Sequence, residues 1–387
     1  MTDQPPDVQT DSPIPSDTGA EPEASSSMGT FKCGQCGAKL KFQPGTNHQK
    51  CPYCGHENPI PQSEEDIREL DFRSHLGGLA EQEGTVERLT VGCKNCGAEV
   101  TTEPNITSQE CPFCGMPIVA TAHSTRQIKP RALLPFKIDR KQAWSRFREW
   151  IDGLWFAPGD LKKKAEQQGR LVGLYVPYWT YDSDTTTFYR GQRGEHYWVT
   201  EHYTTMQNGK PVHRTRQVRK TRWWPVSGTV WHSFDDVLVL ASRSLPRSIT
   251  EKLEPWDLPG LIPYQDAYLS GFRAESYQVD LAEGFELAGQ IMDGEIRRLV
   301  RRDIGGDEQR ITSLATQHDH VTFKHVLLPI WISAYRYGDK VYRFLINGRT
   351  GEVQGQRPWS FWKIALAVIG VIGLAAVGGL LAVALTG

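Results

Sequence analysis

Eight cysteines carry the clearest chemistry in this 387-residue chain. All eight fall in two runs, "CGQCGAKLKFQPGTNHQKCPYC" (33–54) and "CKNCGAEVTTEPNITSQECPFC" (93–114), each reading C-x2-C, fourteen residues, C-x2-C. Cys33, Cys36, Cys51 and Cys54 form one set, and Cys93, Cys96, Cys111 and Cys114 the other. Two such knuckles, folded toward each other, bring four thiolates to tetrahedral corners, the geometry zinc prefers, with Zn–S about 2.3 Å. Gly37, Gly55, Gly97 and Gly115 follow the second cysteine of each knuckle, where φ > 0 lets main-chain N–H groups turn toward sulfur. Pro follows Cys51 and Cys111 and sets the first turn of those knuckles. The spacing predicts two zinc ribbons and two structural Zn2+ ions.

Four cysteine ligands leave no open position for water, so the expected role of zinc is structural rather than catalytic. A unit this small cannot bury a sizeable core, and the metal must supply its folding energy, about 10–16 kcal/mol per site. Disulfides are the competing reading. They need an oxidising compartment, and "MTDQPPDVQTDSPIPSDTGAEP" has none of the apolar character of a signal peptide. Other catalytic constellations are thin. G-x-x-x-x-G-K-[ST], G-x-S-x-G and H-E-x-x-H are all missing from the sequence. "WHSFDD" (231–236) and "QHDHVTFKH" (317–325) gather His232, His318 and His320 with aspartates, which reads as a second metal site or hydrolase centre, or as polar strand surface. The expectation is a protein that is not an enzyme, with no catalytic residue and no organic cofactor.

Charge bears on what the ribbons touch. The first carries Lys32, Lys39, Lys41 and Lys50 against Glu57, whereas the second carries Lys94 against Glu99, Glu103 and Glu110. The connector 61–90 holds eight acids and three arginines. A phosphate-tracking module should be basic throughout, so protein contact is the expected use and nucleic acid the alternative.

The elements that position these sites follow from blocks of composition. Residues 1–28 have six acids, no bases and five prolines, and read as a disordered acidic tail. Then come ribbon 1 (29–60), the acidic connector (61–90, helical around "EEDIRELDF"), ribbon 2 (91–120) and a large domain (121–357). A juxtamembrane belt and transmembrane helix (358–387) close the chain. The expected fold class is α+β: two tandem N-terminal zinc ribbons, a β-rich α/β domain with an internal repeat, and one C-terminal transmembrane helix. "IALAVIGVIGLAAVGGLLAVAL" (364–385) would span about 33 Å against a hydrocarbon core of about 30 Å. Trp359, Phe361 and Trp362 form an aromatic belt beside Arg357 and Lys363, which places the N-terminal side in the cytoplasm. The expected location is the inner membrane, tail-anchored and single-pass, with the bilayer as a partner. Ala375/Gly379 and Gly378/Ala382 are small-residue pairs through which that helix could oligomerise.

Within 121–357, "FKIDRKQAW" (136–144) matches "YQVDLAEGF" (277–285), and "LYVPYWTYD" (174–182) echoes "LLPIWISAY" (327–335). Asp139 with Gln142 and Asp280 with Glu283 read as capping boxes. Trp144, Phe147, Ile151 and Leu154 make one apolar helix face; Leu281, Phe285, Ala288 and Met292 make the other. The pattern predicts two half-units that pack together. Asn208–Gly209 marks a hairpin turn between long alternating strands. Its return strand sets Arg214, Arg216, Lys220 and Arg222 on one face, with six bases and no acids over 210–222. In "MDGEIRRLVRRDI", Arg297/Arg301 and Arg298/Arg302 stack at i, i+4. These basic faces read as contacts for anionic lipid or nucleic acid, or as solvated surface.

The tandem ribbons, with "LLPFKID", "YVPYWTYD", "TRWWPVSGTV", "FDDVLVLAS", "YLSGFRAESYQVD", "FKHVLLPIW", "YRFLINGRTGEVQGQRP" and the terminal apolar run, resemble bacterial TFIIB-type zinc-ribbon membrane proteins. Many of these are labelled primosomal protein N′ (replication factor Y) or superfamily II helicase-like. The resemblance covers residues from about 31 to 387. It implies zinc at the eight cysteines and a link to phage-shock and flotillin-like membrane-stress partners. It does not carry over an ATPase, because the phosphate-cradling loop is missing. The function expected is a cytoplasm-facing adaptor that recruits a protein partner to the inner membrane; the alternative is a membrane-associated nucleic-acid-binding protein of replication.

Overall fold

The computed structural model describes residues 31–62, 66–77, 85–101, 108–119, 123–168, 170–207 and 209–386. The acidic tail 1–28, the "EPNIT" turn, Asn208 and part of the acidic connector lie outside them. Ribbon 1 is the small sheet β1 (Lys41–Phe42), β2 (His48–Lys50) and β3 (Glu57–Pro59). The connector then forms β4 (Leu70–Asp71) and α1 (Phe72–Leu76). Among the described residues, the helix expected around 64–72 therefore starts only at Phe72. Asp71 is its N-cap, accepting from Ser74 N, and Leu70 pairs with Phe323 as strand.

Ribbon 2 comprises β5 (Thr85–Gly92), β6 (Glu99–Thr101), β7 (Ser108–Glu110), β8 (Pro117–Val119) and β9 (His123–Ile128). The large domain follows with β10 (Ala132–Leu133), α2 (Arg140–Asp152), α3 (Leu161–Gln168), β11 (Val172–Gln207), β12 (Lys210–Leu240) and α4 (Arg247–Thr250). It continues through β13 (Ile262–Pro263), β14 (Arg273–Ala274), α5 (Leu281–Ile304), β15 (Glu308–Tyr337), β16 (Lys340–Asn347), β17 (Val353–Gly355) and α6 (Phe361–Thr386). One sheet runs β12-β11-β15-β10-β13, with β16 and β17 continuing from β15.

The two Pro-x-Trp segments pair with each other at the centre of this sheet. Tyr175 faces Pro329, Val176 faces Leu328 and Pro177 faces Leu327. Each proline thus sits opposite the residue two before the other, which is a local two-fold about the Val176–Leu328 pair. Proline lacks a ladder N–H and is confined to places where none is required. Here Pro177 O accepts from Ala241 N, just past the end of β12, and Pro329 O accepts from Gly348 N, just past the end of β16. The missing donors therefore fall where the outer strands have run out.

The tryptophans cross over. Trp179 Nε1 donates to Val279 O, and Trp331 Nε1 donates to Ile138 O, both at 2.9 Å. Those carbonyls immediately precede Asp280 and Asp139, the N-caps of α5 and α2. Each half's tryptophan thus anchors the helix of the other half. Both arms of the capping box are made at Asp139/Gln142. At α5 Asp280 accepts from Glu283 N at 2.8 Å, while the Glu283 carboxylate turns to Arg243. Helix α2 buries Ala143, Phe147 and Ile151, with Trp144 partly covered; Leu154, expected on the same face, lies just past its end and is also partly covered. Helix α5 buries Leu281, Gly284, Ala288 and Met292 and continues the stripe through Ile296, Val300 and Ile304; Phe285 is partly covered.

The C-terminal expectation is corrected. Among the described residues no helix is long and apolar enough to cross a membrane. Helix α6 meets the rest of the chain at its N-terminal end. Its first turn is fastened to protein: Lys363 Nζ donates to Ala157 O at 2.9 Å, and Ser360 N to Phe156 O at 2.8 Å. Arg357 stacks on Trp359, and Trp359 packs toward Phe156. The transmembrane part of the fold class, the membrane and tail-anchored descriptions and the single-pass inner-membrane location are corrected with it.

Candidate metal centres

In ribbon 1, Cys33 Sγ lies 3.6 Å from Cys54 Sγ, and Cys36 Sγ 3.5 Å from Cys51 Sγ. In ribbon 2 the Cys93–Cys114 and Cys96–Cys111 separations are both 3.6 Å. A tetrahedron with Zn–S of about 2.3 Å has edges of about 3.8 Å. All four sulfurs of each set lie within 4.8 Å of one another, so both four-cysteine sets could hold a zinc ion. The glycines adopt the conformation their motif requires: Gly37, Gly55, Gly97 and Gly115 have φ of 72–74°. Their N–H groups return to the carbonyls of Cys33, Cys51, Cys93 and Cys111. The sulfurs also meet donors. The main-chain N–H of Cys54 lowers the Cys51 thiol. Burial raises the Cys33 thiol, but the N–H groups of Cys36 and Gln35, together with hydrogen bonds from the Cys54 and Cys36 thiols, bring it down to about 6. Such donors favour thiolate, the form a metal binds.

The two ribbons are seated on one chain segment. Ribbon 1 places Phe42 and Ile60 in the main core, Phe42 N donates to Ser270 O, and buried Gln49 donates to Ala267 O at 2.9 Å. Ribbon 2 pairs Val100 with Glu275, Thr101 Oγ1 donates to Ala274 O at 2.8 Å, and Gln278 donates to Gly97 O at 3.0 Å. Their tips differ. Tyr53 and Phe113 occupy the same position in C-P-x-C, yet Tyr53 is 82% exposed and Phe113 0%. Phe113 joins Val91, Val100 and Ile118 in a core shared with Leu174 and Val176 of β11. The private core of ribbon 1 is only Cys33, Leu40 and Cys51, with Phe31 and Ala38 at its rim.

The His/Asp stretches flank β11 on opposite sides: His232 and His318 both lie opposite Thr185. They do not build one centre. His318 Nδ1 lies 3.2 Å from Ser183 Oγ and its ring meets Phe285 of α5. His320 instead lies 3.2 Å from the Asp184 carboxylate, on the opposite face of the sheet. Asp235 and Asp236 of the first stretch gather with Asp182 at the bulges here. Lys324 already supplies their cation, 2.8 Å from Asp236 and 2.9 Å from Glu69. Hydrogen bonding from Asp182, then Lys324, holds Glu69 down to about 2, while burial and Glu69 push Asp182 up to about 6. Of the two carboxyls Glu69 is thus the more acidic. Sequence reasoning missed Asp182 and Glu69, because a pairing across such separations leaves no local pattern.

Beyond Gly194 the β11–β12 hairpin has no third strand among the described residues, and 195–207 pair with 210–222, an arm of about 40 Å. The register puts Arg214, Arg216, Lys220 and Arg222 on one face opposite Tyr203, Glu201, Tyr197 and Glu195. Arg216 and Lys220 both reach Glu201, at 3.0 and 3.2 Å, and Arg222 stacks on Tyr197. On α5, Arg297 pairs with Asp293 and Arg298 with Glu295.

Across 358 aligned residues the chain is 25% identical to "Uncharacterized protein YdjG" of Bacillus subtilis (strain 168). The alignment covers 89% of this chain and 94% of that protein. No family model matches the chain. No solved structure matches it.

Proposed function

We propose that the chain is a non-catalytic zinc-ribbon adaptor that recruits a protein partner through ribbon 1. Each four-cysteine set holds one structural zinc, which when bound cross-links the two knuckles of its ribbon and supplies folding energy the small core lacks. The resemblance to TFIIB-type zinc-ribbon proteins supports this reading of the cysteines. The carrying observation is the contrast at the tips: Phe113 is plugged into the main core, while its counterpart Tyr53 stands in solvent. An exposed aromatic on a rigid turn is the kind of residue that anchors protein interfaces. Ribbon 2 then serves to hold the module, and ribbon 1 to present it. To test this, a photo-crosslinking residue replaces Tyr53 in the zinc-loaded full chain, with a second placed at exposed Trp155 as control. A single protein captured only from position 53, whose co-purification falls at least tenfold with Tyr53→Ala, is expected. Equal capture from both positions, or retention by Tyr53→Ala, rejects the proposal.

A second reading, nucleic-acid binding, is favoured by the arm. A two-stranded β-ribbon fits a major groove, and basic side chains interleaved with tyrosines suit phosphates and bases. Glu201 and Glu195 on the same face offset part of that charge. Gel-shift titration of duplex and single-stranded DNA at physiological salt separates the readings. Submicromolar binding lost in Arg214→Ala/Arg222→Ala selects the arm.

A further inference from the structure

A cleft of about 630 Å³ lies beside the end of β12, and five consecutive residues of that strand, Asp236 to Leu240, line it. Side chains alternate between the faces of a strand. Five in a row can border one cleft only where it runs along the strand's edge. Sheet order agrees: β12 is the terminal strand and pairs only with β11 among the described strands. The ladder shows which main-chain groups face outward. Ala241 N donates to Pro177 O, so Pro177/Ala241, Trp179/Val239 and Tyr181/Val237 are the hydrogen-bonded pairs. The N–H and C=O groups of Leu238 and Leu240 therefore point away from β11, into the cleft.

The cleft wraps this edge. Leu287 and Ile291 of α5 stand on the side where Val237 and Val239 pack. Trp256 and Leu258 stand on the other, with Leu238 and Leu240. Ile291 is 55% exposed, an apolar side chain at the mouth. The polar rim is acidic in balance: Glu251 and Glu254 stand against Arg247, while Asp236 is already paired with Lys324. Burial and the neighbouring Glu251 raise the Glu254 carboxyl, so an entering cation relieves an existing repulsion.

We infer that this cleft binds an extended segment of a partner protein, apolar at alternate positions and carrying lysine or arginine, which adds to the free edge of β12 as one more strand. Main-chain pairing to Leu238 and Leu240 provides the register, and the slot between α5 and Trp256 takes the apolar side chains. Charge excludes two other occupants. A second copy joined edge to edge would bring two rims of net negative charge, each with Glu251 and Glu254, together. The chain's residues 1–28, with six acids and no bases, would meet the same repulsion. The site is separate from Tyr53, so it stands or falls independently of the ribbon 1 reading.

The test is selection of a displayed random heptapeptide library on the zinc-loaded full chain. The enriched peptides are then synthesised and measured by fluorescence anisotropy. Enriched sequences should alternate apolar residues and carry Lys or Arg. Ile291→Glu, a surface change at the mouth, should weaken them at least tenfold while the melting temperature is unchanged. N-methylation of alternate peptide amides should abolish binding in one register and spare it in the other. Failure to enrich, acidic consensus sequences, equal binding to Ile291→Glu, or indifference to N-methylation each overturns the inference. So does sedimentation showing a dimer that Ile291→Glu dissociates, since the edge would then belong to a second copy.

Discussion

At the residue scale, equivalent positions are given different work by what lies beneath them. Phe113 is a core residue and Tyr53 a surface one, although both follow Cys-Pro. Phe113→Ala should cost about 3–5 kcal/mol in urea unfolding, and Tyr53→Ala no more than about 0.5 kcal/mol. Similar losses at both positions would contradict the asymmetry. Glu275 is a second such residue. It is 3% exposed and takes a hydrogen bond from Ser242 at 2.8 Å. Burial pushes its carboxyl up to about 8. The folded state therefore holds a proton that the unfolded chain releases near its ordinary value of about 4.3. The stability this contributes is complete below that value and declines as pH rises to about 8, by about 1.4 kcal/mol per pH unit. Glu275→Gln keeps the neutral shape and should flatten this decline. Denaturant unfolding from pH 5 to 9 checks it, and an unchanged slope would refute the assignment.

At the element scale, α5 is pressed close to the sheet. A methyl group on Gly284 would run into the Tyr181 hydroxyl and Trp179. Gly284→Ala raises helix propensity by about 1 kcal/mol, yet overpacking costs about 1–3 kcal/mol. The expected sign is destabilisation, read as a fall in melting temperature; a more stable variant would show that the helix can shift outward. Helix α2 depends on its cap, and Asp139→Ala should cost about 1 kcal/mol by loss of the bond to Gln142 N. Asp139→Asn should restore most of it, and equal loss in both variants would speak against capping.

For the whole molecule, the residues 267–278 seat both ribbons on the central sheet, so ribbon integrity and sheet stability are coupled. The zinc-loaded chain should contain two zinc ions, measured by elemental analysis against protein concentration. Removing them with a strong chelator should expose the stretch 31–60 to protease first, because its own core is three residues deep. It should also lower the unfolding midpoint of the rest, which loses Val100 and Phe113 as packing partners. A stoichiometry of one, or an unchanged digestion pattern, would refute this account.

What the sequence determined by itself is local. Cysteine spacing, the glycines that must turn φ positive, the Asp139 and Asp280 caps and the basic face of the hairpin all depend on residues within a few positions or in one register. Their physics is complete at that range. The apolar run 364–385 was legible as composition, but among the described residues no helix is long and apolar enough to cross a membrane. Only the tertiary structure decided the rest. Trp179 reaches the carbonyl before α5 and Trp331 the one before α2, across separations of 100 and 193 residues. Glu69 meets Lys324 across 255. The tip of ribbon 2 is buried and that of ribbon 1 exposed because the two ribbons are received on different surfaces. The free edge of β12 exists because sheet order ends there, and strand order is set by packing between distant segments, not by any pattern within one of them.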